Sequence, residues 1–314
     1  MTDSPRVLVL MSTYNGENYV ADQIDSVLGQ EDVNLTLWIH DDRSTDRTFS
    51  ICQHYAATHP NVIAIQNELN LGVTNNFLNP LFEPSADGYD YYAFCDQDDV
   101  WLPPKLSRAA ECFSKLPLNC PALYFSEIQD VDANLQNPHQ ELSIFRSCED
   151  RYGVVLLRNW VPGCTMVFNA AFLQLLRKFP CKSLPVIHDT WVHRLARCCA
   201  TVIPDYDHAY ILRRLHGDNV AGETLSNFQS AEKFAKALRM SLAPTLHPQF
   251  RCAQLIAEHY SEEVRPEARP ALQSLLDYRT SPSARCNIAF GMQFRMPTTS
   301  TRFANVVHTL FRRW

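Results

Sequence analysis

The sequence lacks the long apolar segment that a membrane-spanning helix requires. Such a helix needs roughly 18 to 20 consecutive apolar residues, and no run in this chain approaches that length. The N-terminus has only a short apolar run at residues 7–11 and no small-residue cleavage site, so we predict no signal peptide. An excess of positive charge is also absent, because the formal net charge is −6. We therefore expect a cytoplasmic globular protein that does not bind nucleic acid.

Paired cysteines and glycine-rich phosphate loops are absent as well. The eleven cysteines include no CxxC pair, and only Cys198 and Cys199 are adjacent. This spacing favours buried thiols in a reducing compartment over a disulfide framework or a zinc site. The chain contains neither GxGxxG nor GxxxxGK followed by Ser or Thr. It therefore supports neither a dinucleotide-binding fold nor a P-loop.

Short apolar runs alternate with helical periodicity through the first third of the 314-residue chain. Apolar residues three or four positions apart mark the intervening helices, for example Val20, Ile24 and Val27. This alternation predicts βαβ units and a mostly parallel sheet. The predicted strands are residues 6–11, 35–39, 62–65 and 89–94.

Three polar clusters directly follow three of these strands, at residues 12–16, 40–46 and 96–99. The carboxyl ends of parallel strands meet at one edge of a sheet, and the ligands of open α/β sheets bind at that edge. We therefore expect the three clusters to converge in one cleft.

The cluster at residues 96–99 consists of three aspartates and one glutamine. Three carboxylates so close together repel one another strongly unless a cation lies among them. Hard divalent ions such as Mg²⁺ and Mn²⁺ prefer oxygen ligands, often carboxylates completed by substrate phosphates. An acidic surface loop that caps the next helix is the alternative interpretation.

The other two clusters each have a binding and a structural interpretation. Residues 12–16 place backbone N–H groups and hydroxyls at a helix N-terminus, where a phosphate or a base edge can bind. In residues 41–46, a carboxylate can accept a hydrogen bond from a pyrimidine N3–H. The structural alternative for both clusters is helix capping, for which Ser44 and Thr45 are suitable residues.

The second half of the chain is less regular. A composition change near residue 222 divides the chain into a first domain, residues 1–222, and a helical extension, residues 223–314. The predicted elements are strands at 123–125 and 164–168, helices near 172–179 and 189–199, an extended segment at 210–215, and amphipathic segments at 227–240, 249–261 and 268–278.

In this order and at these strand ends, the three clusters resemble the family 2 glycosyltransferases of GT-A fold. The segments that carry the resemblance are MSTYNG at 11–16, DDRSTD at 41–46, NLG at 70–72, FCDQDDVW at 94–101, GCTM at 163–166, HDTW at 188–191 and RLHGDN at 214–219. The strings DQDDVW and RLHGDN are similar to a bacterial rhamnosyltransferase-like branch. Two positions depart from the family pattern: Arg43 replaces the usual glycine, and Thr190 replaces a frequent aromatic residue.

The resemblance implies an α/β fold of GT-A type, with a Rossmann-like, mostly parallel central sheet flanked by helices and a C-terminal helical extension. Residues 1–105 would form the nucleotide-binding half and residues 106–222 the acceptor-side half. It also implies that the nucleotide is held by Ser12, Thr13, Tyr14, Asn15, Asp42 and Asp96, with the Tyr14 ring stacking on the base. A bound Mn²⁺ or Mg²⁺ would be held by Asp98 and His216. Residues behind the metal or beside the acceptor would be Asp99, Gly163, Thr165, His188, Trp191 and Arg214.

Asp189 matches the family's general base, which takes the proton from an acceptor hydroxyl as that oxygen attacks the anomeric carbon. One displacement inverts the anomeric centre, so no covalent nucleophile is required. An aspartate has a pKa of about 4 in water, so it works as a base only in a partly dry site. Capping of the following helix is the alternative role of Asp189.

Several of the other residues also have a structural alternative. A lone histidine such as His216 is usually structural or solvent-exposed, and Trp191 is typical of core packing. Residues 163–166 equally fit a strand entry with buried side chains. Arg213 and Arg214 are either phosphate ligands or ordinary surface charges.

The resemblance implies an inverting, metal-dependent glycosyltransferase of bacterial surface polysaccharide synthesis, for example of O-antigen. The expected donor is dTDP-L-rhamnose, with a UDP-hexose or UDP-N-acetylhexosamine as the alternative, and the acceptor is a glycan or lipid-linked hydroxyl. A metal-dependent nucleotidyltransferase would need a basic phosphate loop, which residues 12–18 lack. A non-catalytic relative is disfavoured because Asp98, Asp189 and His216 are all present.

The C-terminal end combines apolar side chains with arginines. Such a segment could lie on an anionic bilayer, which would suit a lipid-linked acceptor at the inner membrane. Packing against the protein itself and a dimer contact are the alternatives. The residues concerned are Arg302, Phe303, Val306, Val307, Leu310, Phe311, Arg312, Arg313 and Trp314.

Overall fold

The computed structural model describes residues 4–117, 119–140, 143, 145–180, 184–215, 247–310 and 314. The chain divides into two compact units, of which the first comprises Met1–Leu142 and Val161–Arg214, and the second Ser143–Trp160 and Leu215–Trp314. The segment Ser143–Trp160, which we assigned to the first domain, thus groups with the C-terminal residues. The predicted boundary near residue 222 lies outside the described residues.

Eight strands form one sheet in the described part of the first unit. The strands are β1 (Arg6–Thr13), β2 (Asn34–Asp41), β3 (Val62–Gln66), β4 (Tyr91–Cys95), β5 (Val100–Trp101), β6 (Ala122–Val131), β7 (Met166–Asn169) and β8 (Thr201–Arg214). Their order across the sheet is β3-β2-β1-β4-β7-β6-β8-β5. Four of the seven strand pairs are parallel, whereas β7 is antiparallel to both neighbours and β5 is antiparallel to β8. The predicted α/β architecture with a mostly parallel sheet is confirmed.

Helices connect these strands and make up most of the described second unit. In the first unit they are α1 (Val20–Leu28), α2 (Thr48–Thr58), α3 (Val73–Leu78), α4 (Lys105–Phe113), α6 (Ala170–Leu176) and α7 (His188–Cys199). In the second unit they are α5 (Tyr152–Leu157), α8 (Pro248–His259), α9 (Arg269–Asp277), α10 (Pro282–Phe290) and α11 (Thr299–Leu310). The amphipathic segments predicted at 249–261 and 268–278 are confirmed as α8 and α9, whereas residues 227–240 lie outside the described residues.

The capping prediction for α2 is wrong. This helix begins at Thr48 after Arg47, which makes no side-chain cap hydrogen bond. Ser44 and Thr45 lie in the preceding loop, where their side chains bind other loop residues instead. Both residues are good caps by type, but the Ser44 hydroxyl bonds to Asp41 and the Thr45 hydroxyl to Asn15, and the helix begins after them.

The core of the first unit lies on both faces of the central strands. Residues 7–11 of β1 are all buried, as expected of a parallel strand covered by helices on both sides. Each fully buried aliphatic side chain contributes about 1.5–3 kcal/mol to folding. On α1, Val20, Ile24 and Val27 face this core, as their spacing predicted.

The ten cysteines that the structure describes are all free thiols, and seven of them are buried. This agrees with the expectation of buried thiols rather than disulfides. Within the described ranges, no helix combines the length and the apolar character needed to cross a bilayer.

Candidate active site

The loops that follow β1 and β2 are joined through the buried carboxylate of Asp41. Its Oδ2 accepts a hydrogen bond from Thr13 Oγ1 at 3.0 Å, and its Oδ1 accepts bonds from the Ser44 backbone N–H and from Gln66 Nε2, both at 2.9 Å. Asp41 is fully buried and Thr13 is 1% exposed. Thr13 therefore holds the loop together, and its contact with a nucleotide stays a prediction.

Asn15 joins the same two loops at a second point. Its backbone N–H donates to Ser44 Oγ at 2.9 Å, and its Oδ1 accepts from the Thr45 N–H at 2.9 Å. The neighbouring Gly16 N–H donates to Thr48 Oγ1 at 2.7 Å. Asn15 therefore links the two loops. The adjacent Tyr14 is 49% exposed, so its ring is available for stacking on a base.

Asp42 holds the loop that follows β3. Its Oδ1 accepts from Asn67 Nδ2 at 2.9 Å and from the Leu71 N–H at 2.7 Å, and its Oδ2 accepts from the Gly72 N–H at 2.8 Å. Asp42 is 4% exposed. A carboxylate oxygen has two lone pairs, so Oδ2 retains acceptor capacity for a base N–H.

Two asparagines that we did not predict as site residues link Asp42 to Ser12. Asn67 Nδ2 also donates to Asn76 Oδ1 at 2.7 Å, and Asn76 Nδ2 donates to Ser12 Oγ at 2.6 Å. Asn67 directly follows β3, just as the other polar clusters follow their strands. Its position could have identified it as a site residue, because the other clusters were predicted from polar residues that directly follow a strand.

Arg43 has a backbone φ of 73°, in the left-handed region that favours glycine. This explains why the family pattern has glycine here.

Arg43→Gly should change the free energy of unfolding by less than about 1 kcal/mol, because relief of the left-handed strain is offset by the larger entropy of glycine in the unfolded chain. Arg43→Val should destabilise the protein by about 2 kcal/mol, since a β-branched residue tolerates this region poorly. Urea unfolding measures both, and equal stability of the two variants would contradict the assignment.

Gln97 connects the acidic cluster to the β1 loop. Its Oε1 accepts from the Tyr14 N–H at 2.8 Å, and its Nε2 donates to the Tyr14 carbonyl at 3.0 Å. A Cβ at Gly16 would lie 2.3 Å from Gln97 Oε1, so a larger residue here would displace the Gln97 amide from Tyr14. The predicted convergence of the first and third clusters is therefore confirmed.

Two carboxylates of the acidic cluster, Asp96 and Asp99, lie close to the thiol of Cys164. The ligand atoms of these three residues are within 4.8 Å of one another. Burial, and then the charges of Asp98 and Asp189, raise the pKa of Asp96 to about 7. Burial and the charges of Asp96 and Asp98 raise the pKa of Asp99 well above its usual value. A hydrogen bond with the Cys164 side chain opposes both rises.

This donor set fits a hard divalent cation. Carboxylate oxygens are the ligands that Mg²⁺ and Mn²⁺ prefer, and a cation would relieve the repulsion that raises the pKa of Asp96. The close group contains Asp99 rather than Asp98, although Asp98 lies near enough to affect both neighbours. Asp98 therefore stays a predicted ligand, and His216 lies outside the described residues.

The two arginines at the end of β8 have different partners. Arg213 donates from Nε and Nη2 to the two carboxylate oxygens of Asp130, at 2.6 and 3.0 Å. Its positive charge also lowers the pKa of Asp96 and of Asp99. Arg214, the predicted site residue, pairs with Asp22 Oδ2 at 2.5 Å on α1.

Strand pairing explains why Arg213 lies beside the cluster. In the antiparallel pair of β5 and β8, Val100 is opposite Leu212. The next step in that register brings Asp99 opposite Arg213, and residues opposite each other extend from the same face of a sheet. Both arginines are candidate phosphate ligands from the sequence, but this pairing between distant segments could not be inferred locally.

Lys105 is a buried cation behind the cluster that the sequence analysis did not identify. Its side chain is fully buried, and Nζ lies 3.8 Å from the centroid of the Trp101 ring. Burial lowers its pKa to about 8, opposed by Cys164, Cys95 and Asp99. Lys105 lies one helical turn before Ala109, which is also buried. This spacing places Lys105 on the buried face of α4, and it was the sequence signal for the burial of this lysine.

Lys105→Met should raise the free energy of unfolding at pH 7 by up to about 3 kcal/mol, because the lowering of the pKa from 10.5 to about 8 measures the penalty of burying the charge. Between pH 8 and pH 10.5 the unfolded chain holds a proton that Lys105 in the folded protein has lost, so the stability of the unaltered protein rises with pH. The advantage of the variant should therefore shrink from pH 8 to 10.5. Lys115→Met, at an exposed site on the same segment, should change stability by less than about 0.5 kcal/mol.

Asp189 lies in the first turn of α7, beside the acidic cluster. The N-cap of this helix is Ile187, and Asp189 accepts hydrogen bonds from the backbone N–H and the hydroxyl of Thr190. The capping alternative for Asp189 is therefore wrong. Since its charge contributes to the raised pKa of Asp96, its carboxylate lies close to the predicted donor site.

His188 is buried and packs against Phe77 of α3 and Phe94 of β4. Its ring stacks on Phe77 with centroids 4.2 Å apart, and it meets Phe94 edge to face at 5.1 Å. Burial lowers its pKa to about 3, so the imidazole is neutral. A Cβ at Gly163 would lie 2.5 Å from His188 Nε2, which explains the glycine at that position.

Two of the other residues predicted to lie behind the metal or beside the acceptor are buried. Thr165 is fully buried and its hydroxyl donates to the Pro162 carbonyl at 2.7 Å. Trp191 is also fully buried and packs beside Phe179, so it belongs to the core. The strand-entry alternative, with buried Cys164 behind the cluster, describes this segment correctly.

Comparison with known proteins extends this picture. A sequence profile described as "Glycosyl transferase family 2" matches residues 8–177, more than half of the chain. The dTDP-rhamnosyl transferase RfbG of Shigella flexneri is 31% identical over 189 residues, which cover 58% of this chain and 62% of RfbG. An uncharacterized glycosyltransferase of Haemophilus influenzae is 29% identical over 260 residues, covering 77% of this chain and 75% of that protein. The match to RfbG thus spans less than two thirds of its length.

Solved structures share the fold. S. aureus TarS superimposes with a TM-score of 0.55 at 16% identity, over 98% of this chain and 80% of that chain. A mannosyltransferase from Pyrobaculum calidifontis, in complex with GDP-Man and Mn²⁺, has a TM-score of 0.53 at 18% identity, over 100% and 89%. These likenesses confirm the predicted GT-A fold. With the profile match, they show that the chain belongs to glycosyltransferase family 2.

Proposed function

We propose that this chain transfers a sugar from a nucleotide-diphospho-sugar to an acceptor hydroxyl in one inverting displacement. The observation that carries the proposal is the position of Asp189, whose carboxylate lies beside Asp96 at the strand ends where the three polar clusters meet. A base next to an acidic cluster suits a reaction in which a hydroxyl is deprotonated while an anionic group leaves.

The donor would bind across the loops that follow β1 and β2. The exposed Tyr14 ring offers a stacking surface for the base, beside Ser12 and Asp42. Oδ2 of Asp42 has acceptor capacity for a pyrimidine N3–H, which uracil and thymine both carry. Asp96, at the end of β4, would contact the ribose or the metal.

The preferred donor is dTDP-L-rhamnose. RfbG, whose name describes a dTDP-rhamnosyl transferase, supports this choice at 31% identity. UDP-hexose or UDP-N-acetylhexosamine is the alternative, supported by TarS structures in complex with UDP and with UDP-GlcNAc. A metal-dependent nucleotidyltransferase is a weaker candidate, because no basic phosphate loop follows β1.

In the proposed reaction, the acceptor oxygen attacks the anomeric carbon from the face opposite the diphosphate. The bond from that carbon to the diphosphate oxygen breaks, and Asp189 takes the proton of the attacking hydroxyl. The nucleoside diphosphate leaves with the bonding electrons, so the anomeric centre is inverted and no covalent enzyme intermediate forms.

Mn²⁺ or Mg²⁺ would be held by Asp98 with Asp96 or Asp99, and by His216 if the family pattern applies. Such a cation supplies positive charge that stabilises the departing diphosphate. Arg213, fixed by Asp130, adds a positive group beside the same carboxylates. Its Nη1 edge makes neither of the two bonds to Asp130, which suits contact with a phosphate oxygen.

The acceptor would be a glycan or a lipid-linked oligosaccharide of a bacterial surface polysaccharide such as O-antigen, assembled at the cytoplasmic face of the inner membrane. The resemblance to the rhamnosyltransferase-like branch and the name of RfbG support this assignment. Buried Thr165 and Trp191 are unsuited to touching the acceptor.

A thermal-shift screen tests the proposal directly. The protein is heated with dTDP-rhamnose, UDP-sugars, GDP-sugars or bare nucleotides, each with Mn²⁺ and with a chelator. A ligand that binds only the folded state stabilises it by RT ln(1 + [L]/Kd). We expect a metal-dependent rise in Tm with dTDP or UDP compounds. No shift with any nucleotide would overturn the proposal, and a shift with GDP-sugars alone would overturn the pyrimidine assignment.

A further inference from the structure

Helix α11 in the second unit buries two polar side chains and exposes two large apolar ones. Asn305 and Thr309 are each 1% exposed, whereas Phe303 is 69% and Leu310 is 70% exposed. Asn305 Nδ2 donates to the Ile288 carbonyl at 2.7 Å, so the inner face is held by hydrogen bonds. A surface helix normally buries its apolar stripe, and the exposure of Phe303 and Leu310 calls for a partner on the outer side.

The exposed apolar surface extends beyond α11. Phe290, at the end of α10, is 74% exposed, and Met292 just after it is 66% exposed. Both line a pocket of about 340 Å³ together with Phe303. We call Phe290, Met292, Phe303 and Leu310 the apolar patch. Single exposed apolar residues are ordinary on proteins, but a group of large ones marks an interaction surface.

Arginines are concentrated in the segment of the chain that contains the apolar patch. Residues 278–314 contain six arginines and no aspartate or glutamate, although the whole chain has a net charge of −6. Within the described residues, Arg285 and Arg302 donate to backbone carbonyls, of Tyr278 and Met296 respectively. Arg295 and Arg302 line the same pocket as the apolar patch. The arginines are Arg279, Arg285, Arg295, Arg302, Arg312 and Arg313.

We propose that the apolar patch docks the second unit on an anionic lipid bilayer. Phe303 and Leu310 would enter the boundary between headgroups and acyl chains, while Arg295 and Arg302 would face the lipid phosphates. Exposed apolar side chains bordered by arginines are the pattern of a helix that lies in a membrane interface. A second copy of this chain fits less well, because the same positive segment would then face itself.

The docking surface shares Phe303 and Leu310 with the tail that the sequence suggested, but it does not include Trp314. Trp314 is 1% exposed, stacks on His308 with centroids 4.8 Å apart, and donates from Nε1 to Thr309 Oγ1 at 3.0 Å. It therefore packs against the protein, as the alternative interpretation held. Phe311, Arg312 and Arg313 lie outside the described residues, and the apolar patch needs none of them.

Vesicle co-sedimentation of the full chain tests the proposal. The vesicles contain phosphatidylcholine alone or phosphatidylcholine with phosphatidylglycerol, at low and at high salt. We expect binding to the anionic vesicles at low salt, weak binding to the neutral ones, and partial release by salt because the arginine contribution is screened. No sugar donor is present, so the outcome is independent of the proposed transfer reaction.

Two sets of variants separate the apolar and charged contributions. Phe303→Ser with Leu310→Ser should weaken binding by about tenfold or more, because two exposed apolar side chains lose their lipid contacts. Arg295→Gln should weaken it by about fivefold and reduce its salt dependence. Leu69→Ser, at an equally exposed position of 72% in the first unit, should bind like the unaltered protein.

The structural integrity of each variant is checked by its Tm and circular dichroism. Absence of binding to both kinds of vesicle would overturn the proposal. Unchanged vesicle binding by the Phe303→Ser and Leu310→Ser protein would also overturn it. A concentration-dependent dimer that this double variant abolishes, without vesicle binding by the unaltered protein, would assign the patch to a second copy of the chain instead.

Discussion

Asp189→Asn should lower the turnover number of sugar transfer by about 10²- to 10⁴-fold, the usual contribution of a general base. Asparagine has nearly the same shape but cannot take a proton. Because the helix cap is Ile187 and not Asp189, the fold of α7 should survive the change. The Kd of the nucleoside diphosphate should stay within about threefold of its original value, or about 0.7 kcal/mol. Steady-state kinetics and calorimetric titration measure the two quantities.

Asp25→Asn is a suitable control for the Asp189 variant. Asp25 is also a helical aspartate of the first unit and accepts a hydrogen bond from Tyr55 OH at 2.7 Å, with no bond to the acidic cluster. Its replacement should leave transfer within about twofold. Joint loss of nucleotide binding and thermal stability in Asp189→Asn would instead give Asp189 a structural role, and full activity would exclude it as the base.

Asp98→Asn should remove metal-stimulated transfer, with a loss of about 10²- to 10⁴-fold, because the cation supplies several kcal/mol of charge stabilisation to a departing diphosphate. Direct titration of Mn²⁺ in the presence of a nucleoside diphosphate gives a second readout that does not depend on turnover. The affinity for Mn²⁺ should fall at least about tenfold, while binding of the bare nucleoside should not change.

Asp99→Asn is the informative companion of this variant. The atoms of Asp99 lie in the close group with Asp96 and Cys164, whereas the family resemblance assigns the metal to Asp98. If Asp99 only holds its neighbours in place and does not bind the metal itself, Asp99→Asn should lower the affinity for Mn²⁺ less than Asp98→Asn does. Full metal-stimulated activity of Asp98→Asn would remove Asp98 from the site and assign the ligand role to Asp99.

Much of the first unit could be predicted because its signals are local. Short apolar runs mark the strands, and β1 to β4 are found where those runs occur. Parallel pairing then brings the polar residues after each strand to one edge. The bonds between Tyr14 and Gln97, and between Asn15 and Thr45, confirm that convergence.

The individual roles within the clusters were less predictable. Thr13 and Asn15 are polar residues in the predicted nucleotide loop, yet both serve to join loops. Capping was expected of Ser44, but its hydroxyl donates to the nearby carboxylate of Asp41 and accepts from the distant Asn15 N–H. A hydrogen-bonding side chain has many local partners of similar energy, and contacts from distant segments decide which one it takes.

By itself, the sequence determined the order of strands and helices, the strand ends that bear polar groups, and the family pattern, since all of these depend on neighbours in the chain. Only the tertiary structure decided that Arg213 faces the acidic cluster, that Lys105 is buried behind it, and that α11 exposes two large apolar side chains. Those outcomes depend on the register between β5 and β8 and on which helix face meets a neighbour. Because such pairings join residues far apart in the chain, their energies appear only after the chain has folded.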